Sequence, residues 1–230
     1  MEIGGHVIQR EVIGPGPFDN SQRVRLTGTE SAELLVVRSE AEPFPEAVIE
    51  EIKQERNAED LHLPPCRVEI VLGLPSEQRI YVVLPTGVQP SLPFSCNGPF
   101  LQDPARLGIK DPVLSPTNRW LLERVGRLAV QSLFAWLDNR QLGIEERARG
   151  YALLPSPPRQ EDTLDADVTE IVAETFCECA EEGPILLTAD ADLAIPLVAT
   201  RFHGNCIGRG IWDNWQRFSA QRTTLSLPQK

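Results

Sequence analysis

The chain has 230 residues, with 33 Asp+Glu against 22 Lys+Arg and a formal net charge of −11. That length and 41% hydrophobic residues suffice for a core, and no apolar run approaches the roughly 20 residues of a membrane helix. The acidic balance disfavours general phosphate-backbone binding, so nucleic acid is not an expected partner. No signal-peptide pattern opens the sequence. The five cysteines (Cys66, Cys96, Cys177, Cys179, Cys206) lack metal-finger spacing. They read as reduced, packed thiols in a cytoplasmic protein, with no metal site.

The N-terminal third reads as β-rich. His6–Ile13 alternates partly and stops at Gly14-Pro-Gly-Pro17, and Arg23–Leu26 has the period-2 pattern of a strand with one wet face. Leu34–Val37, beyond the turn signal at Thr27–Glu30, is its expected antiparallel partner. Pro45 opens a helix from Glu46 to about Arg56, with Val48, Ile49 and Ile52 inward and Glu46, Glu50, Glu51 and Glu55 toward water. Arg67–Leu72 and Arg79–Leu84 then read as two strands joined in a hairpin through Gly73–Glu77. From Val88 to Pro116 the chain is loop-like, with prolines at 90, 93, 99, 104, 112 and 116. So long an irregular stretch is usually functional or draped over a partner.

Ser115-Pro-Thr-Asn118 caps the longest helix, which extends to about Asp138. Leu121, Val125, Leu128, Ala129, Leu133, Trp136 and Leu137 form its apolar face, and Arg119, Glu123, Arg124 and Arg127 the other. Gly126 costs about 1 kcal/mol there relative to Ala. A short polar helix (Ile144–Arg149), a proline-rich turn (Pro155–Pro158) and a helix from Asp165 to Glu181 follow. Ile185–Thr188 is a short strand. The expected fold is α+β: an antiparallel sheet of about five strands in residues 1–87, a proline-rich connector in 88–115, and a helical, small α/β segment in 116–230.

No catalytic residues emerge. There is no Gly-x-Ser-x-Gly elbow, and the His203-Gly-Asn-Cys206 pairing has no assignable orienting acid or oxyanion donor. Gly204–Gly210 is glycine-rich but lacks the Gly-Lys-Ser/Thr of a phosphate loop. In the tail, Arg209, Trp212, Trp215 and Arg217 interleave cations with aromatics, a composition suited to docking a protein segment or stacking single-stranded bases.

One ordered set of motifs carries a resemblance. Tyr81-Val-Val-Leu-Pro-Thr86, Ser91-Leu-Pro-Phe-Ser-Cys-Asn-Gly-Pro-Phe100, Asp103-Pro-Ala-Arg106 and Asn118-Arg-Trp-Leu-Leu122 together resemble the sacsin-like group of histidine-kinase/chaperone-type (GHKL) ATPases. Ile185–Asp190 is similar to a short downstream element of that group, with Ala191 or Asp192 where glycine belongs. The family's nucleotide-site motifs are not found in this sequence, so the resemblance implies no magnesium ligand and no general base here. It implies a non-catalytic segment that follows the ATP-binding fold and couples nucleotide state to client surfaces. ATP and magnesium would belong to a partner domain, in cis or in trans, and a protein client is a further expected partner. By position, Arg106 is the residue that would sense the terminal phosphate; the structural alternative pairs it with Asp103 or Asp111. Asn97 and Asn118 are expected to shape the loop and cap the helix. A stand-alone protein- or single-strand-binding module using the aromatic, arginine-rich tail is the rival reading.

Overall fold

The computed structural model describes residues 2–3, 6–28, 31–58, 60, 62–156, 163–181, 183–187 and 192–194. The chain divides into two units, Met1–Ile195 and Pro196–Lys230, and the second lies wholly outside the described residues. The fold is α+β. Two short strands, β1 (Glu2–Ile3) and β2 (His6–Val7), pair with each other. A mixed sheet follows, built from β3 (Gln9–Pro15), β4 (Ser21–Thr27), β5 (Ser31–Arg38), β6 (Glu69–Leu72), β7 (Ile80–Val82), β8 (Leu84–Pro85) and β9 (Ser95–Asn97). Its spatial order is β3-β4-β5-β6-β9-β7-β8, antiparallel except for the β7–β9 pair.

Alternation fixes the two faces of the sheet, because residues opposite one another across a ladder project to the same side. Val37 opposes Ile70, Ile70 opposes Cys96, and Cys96 opposes Ile80, giving one continuous buried row across four strands. On the other face Val24, Leu34 and Val36 cluster with Leu26, Ala32, Val71 and Leu74. The expected pairing of residues 23–26 with 34–37 is present, with Val24 opposite Leu34.

Two expectations for the sheet need correction. The strands at 69–72 and 80–82 are not a hairpin: β9, from the proline-rich stretch, lies between them and places Cys96 between Ile70 and Ile80. The sheet therefore extends past residue 87 and has seven strands. A three-residue strand, Ser95-Cys-Asn97, with no β-branched residue carries almost no pattern of its own; the core row selects it.

Helix α1 (Glu46–Arg56) starts after Pro45 and ends at Asn57, whose φ of +48° is the left-handed cap asparagine tolerates. Helix α2 (Pro116–Asp138) begins at Ser115, whose hydroxyl accepts from the Asn118 amide. Next come α3 (Ile144–Ala148), a 3-10 turn (Arg149–Leu153) and α4 (Leu164–Ala180). Strands β10 (Leu186–Leu187) and β11 (Leu193–Ala194) pair with each other. The Tyr151 hydroxyl fixes β10 by donating to Ile185 O and accepting from Leu187 N.

Helix α2 is the central element. It buries Leu121, Leu122, Val125, Leu128, Ala129, Val130, Leu133 and Leu137, too many directions for a helix covered on one side only. Gly126 explains how α4 covers it: a Cβ there would lie 2.8 Å from Val172 O and 2.9 Å from Thr175 Cβ. Arg124, expected on the wet face, is 2% exposed. It donates to Cys66 O, Ser39 Oγ and Glu40 O, and its guanidinium stacks 4.8 Å from the Trp120 ring centroid. It thereby ties together the segments flanking α1, sharing Cys66 O with Glu42 N and Glu40 O with Ser39 Oγ, and its Nε lies 3.3 Å from Glu42 Oε1.

Candidate functional site

Two adjacent turns carry the site. The first joins β7 to β8 at Val83, whose φ is +67°. A β-branched residue in that region is a genuine conformational outlier. Val83 is 90% exposed and its neighbour Leu84 is 65% exposed, so burial does not explain the strain. The turn is held from beneath. Val83 N donates to Asn97 Oδ1 (3.4 Å), and Asn97 Nδ2 donates to Glu69 Oε2 (3.0 Å). Arg38 Nε donates to the other Glu69 oxygen (2.5 Å). Burial would raise the Glu69 carboxyl, but the hydrogen bonds from Arg38 and Asn97 outweigh it and hold it below the usual range. Thr86 closes the turn: its amide and hydroxyl both donate to Ile80 O.

The second turn holds Arg106 at φ +58°. Asp103 builds it, accepting from Arg106 N through its carbonyl and from Leu107 N through Oδ1, each at 3.0 Å. At the base of the loop, Lys110 N donates to Leu101 O, and Gln102 bridges Ile109. Asn118, fully buried in the first turn of α2, clamps both strands of that base. Its Oδ1 accepts from Leu101 N (2.8 Å), and its Nδ2 donates to Leu101 O (2.9 Å) and Lys110 O (2.7 Å). A direct bond, Gly87 N to Leu107 O at 2.5 Å, joins the two turns. Helix α4 supports the same region, with Asp165 accepting from Gln89 N and Thr169 from Ser91 N.

Below the loop sits Glu51, expected to face water and in fact 8% exposed. Its Oε1 accepts from Lys110 Nζ (2.9 Å), and its Oε2 from Ser115 Oγ (3.0 Å) and Thr117 N (2.8 Å). The carboxylate thus occupies the positive end of α2. Burial pushes this carboxyl up, but hydrogen bonds from Thr117, Lys110 and Ser115 prevail and lower it overall.

The exposed surface of these turns combines a cation with aliphatic side chains. Five of the eight large apolar residues exposed among the described residues are Val83, Leu84, Leu107, Val113 and Leu114, so apolar exposure concentrates in these loops. Arg106 forms no ion pair with another described residue. The carboxylates of Asp103 and Asp111 serve backbone amides of Leu107 and Val113 instead. An exposed guanidinium on a fixed backbone is suited to bidentate recognition of a phosphate or carboxylate.

The motif residues divide by role. Leu92, Phe94, Cys96 and Phe100 are core, and Asn97 and Asn118 are loop supports; Arg106 and Arg119 present charges outward, Arg119 beside Glu123 (4.0 Å) and Arg106 without an ion pair among the described residues. Arg209, Trp212, Trp215, Arg217, His203 and Cys206 lie outside the described residues, as does the turn at 189–191. Burial pushes the Cys96 thiol up to about 12 and Cys177 to about 11. It also raises Cys66, despite the Arg124 guanidinium 3.1 Å from its sulfur. Among the described residues no group of three or more His, Cys, Asp or Glu is arranged to hold a metal, and no helix is long and apolar enough to cross a membrane. Glu51 and Arg124 carried a sequence signal that the charge pattern hid: Glu51 is three residues after Val48, and Arg124 three after Leu121, on the apolar stripes of their helices. The chain matches no known family model, no curated protein and no solved structure.

Proposed function

We propose that the chain is a non-catalytic, cytoplasmic coupling segment of a sacsin-like, chaperone-type ATP-binding protein. The observation that carries this reading is Arg106: an exposed guanidinium at a left-handed turn whose base is clamped by a fully buried asparagine. A binding loop gains from such preorganisation, because the ordering cost is met in folding rather than at association. The motif order from Leu84 to Leu122 supplies the partner, an ATP-binding domain in cis or in trans. That domain would hold the nucleotide and its magnesium; Arg106 would contribute a forked cation toward the terminal phosphate. Val83, Leu84 and Leu107 would provide apolar contact around it. Its links to α1, α2 and α4 give the loop a mechanical path into the body of the segment.

The test is the turnover of a purified chaperone-type ATP-binding domain with this chain added in trans. Stimulation by the parent chain, lost in Arg106→Ala, is the expected result. Turnover unchanged by the parent chain overturns the reading.

A further inference from the structure

The Arg106 loop is fastened at a point remote from its tip, by one carboxylate that ties together three segments. Glu51, on α1, binds Lys110 of the loop with one oxygen and Ser115 and Thr117 of the α2 N-terminus with the other. Lys110 makes one other ion pair, to Glu55 Oε1 at 2.7 Å, but that carboxylate is half exposed. A pair of that kind contributes little in water. We propose that the Glu51–Lys110 pair is a latch: neutralising either charge frees the Arg106 loop while the sheet and the α2–α4 contact stay intact.

Without the Glu51 charge, Lys110 keeps only its exposed pair, and the amides opening α2 lose an anion at the positive end of the helix. Asn118 then still clamps residues 101 and 110, Asp103 still closes the turn and Gly87 N still meets Leu107 O, but no side chain of the loop remains bound to a buried group on α1. By contrast, the buried row Val37, Ile70, Cys96, Ile80 and the approach of α4 at Gly126 share no atom with this network. The two structures therefore differ in what a loss of charge removes. The groups facing Glu51 are Lys110 from the loop and Ser115 and Thr117 from the α2 N-terminus; Glu55, on its own helix, is the other carboxylate on Lys110. Because Glu51 is the only buried carboxylate among them, it is the one whose neutralisation unfastens the loop. The regulatory meaning of the latch rests on the role proposed for Arg106, whereas the latch itself does not.

Hydrogen exchange of the full chain, read by mass spectrometry at neutral pH, tests it with Glu51→Gln and Lys110→Met. Lys110→Met leaves the Glu51 bonds to Ser115 and Thr117 in place, so it isolates the latch from the helix cap. Both variants should accelerate exchange across residues 101–110 by about tenfold or more, with β4, β5 and α4 within about twofold of the parent. Unchanged protection of the loop in Lys110→Met overturns the latch, even if Glu51→Gln loosens α2. A uniform rise that reaches β4, β5 and α4 in Lys110→Met also overturns it. Failure of the turnover experiment would refute the phosphate-sensing role and leave the exchange result standing.

Discussion

Gly126 offers a prediction whose sign is set by geometry rather than by propensity. In an exposed helix, Gly→Ala stabilises by about 1 kcal/mol. At Gly126 the added methyl would stand 2.8 Å from the Val172 carbonyl oxygen, 2.9 Å from Thr175 Cβ and 3.2 Å from Thr175 Cγ2. The first is backbone and cannot rotate away. The second belongs to a side chain already fixed by its hydroxyl bond to Ile171 O at 2.9 Å. Helix α4 must therefore back off, and overpacking of this kind costs about 1–3 kcal/mol. Set against the propensity gain, Gly126→Ala should be net destabilising by about 0–2 kcal/mol, and Gly126→Leu by about 3 kcal/mol or more. Urea unfolding followed by tryptophan fluorescence gives both values, provided the m-value is unchanged. A Gly126→Ala chain more stable than the parent by about 1 kcal/mol would refute the close α2–α4 approach.

Further predictions address the buried polar groups and the strained turn. Arg124→Met should destabilise by about 1–3 kcal/mol in the same assay, because it removes the guanidinium's hydrogen bonds to Cys66 O, Glu40 O and Ser39 Oγ and its ion pair with Glu42, although each oxygen keeps another partner. Relieving the left-handed valine with Val83→Gly should raise stability by about 1 kcal/mol, while weakening stimulation of a partner ATPase. Glu51 and Glu69 both have lowered carboxyl pKa values in the fold, so their contribution is complete above the usual glutamate range. It is lost as pH falls through their lower folded values; acid unfolding of Glu51→Gln should show a weaker pH dependence than the parent in that window. With iodoacetamide at neutral pH, peptide mapping should find exposed Cys179 labelled before Cys66, Cys96 and Cys177, whose thiols burial pushes up.

Much of the architecture was readable from periodicity and caps. Helix α1 at 46–56, α2 at 116–138 and the β4–β5 pair have the expected bounds or register, because each carries a repeated apolar spacing and a local start or stop residue. Strand β9 had neither. Three residues within a proline-rich stretch form a strand only because β6 and β7 leave a slot lined by Ile70 and Ile80, a long-range fact. Charge was the other blind spot. Glu51 and Arg124 read as solvent-facing by residue type, although their spacing from Val48 and Leu121 put them on buried stripes, where partners distant in sequence neutralise them. At the site, the sequence order singled out Arg106 and the asparagines, but nothing local marked Val83, whose strain arises from the tight return of β8 on β7.

In the proposed role, Arg106 meets a phosphate only when another domain holds the nucleotide. Calorimetric titration of magnesium ATP into the full chain, with Arg106→Ala as the companion sample, tests it most directly. No saturable heat is expected from either. Saturable binding by the parent chain would contradict it, and loss of that binding in Arg106→Ala would move the nucleotide site onto this loop itself.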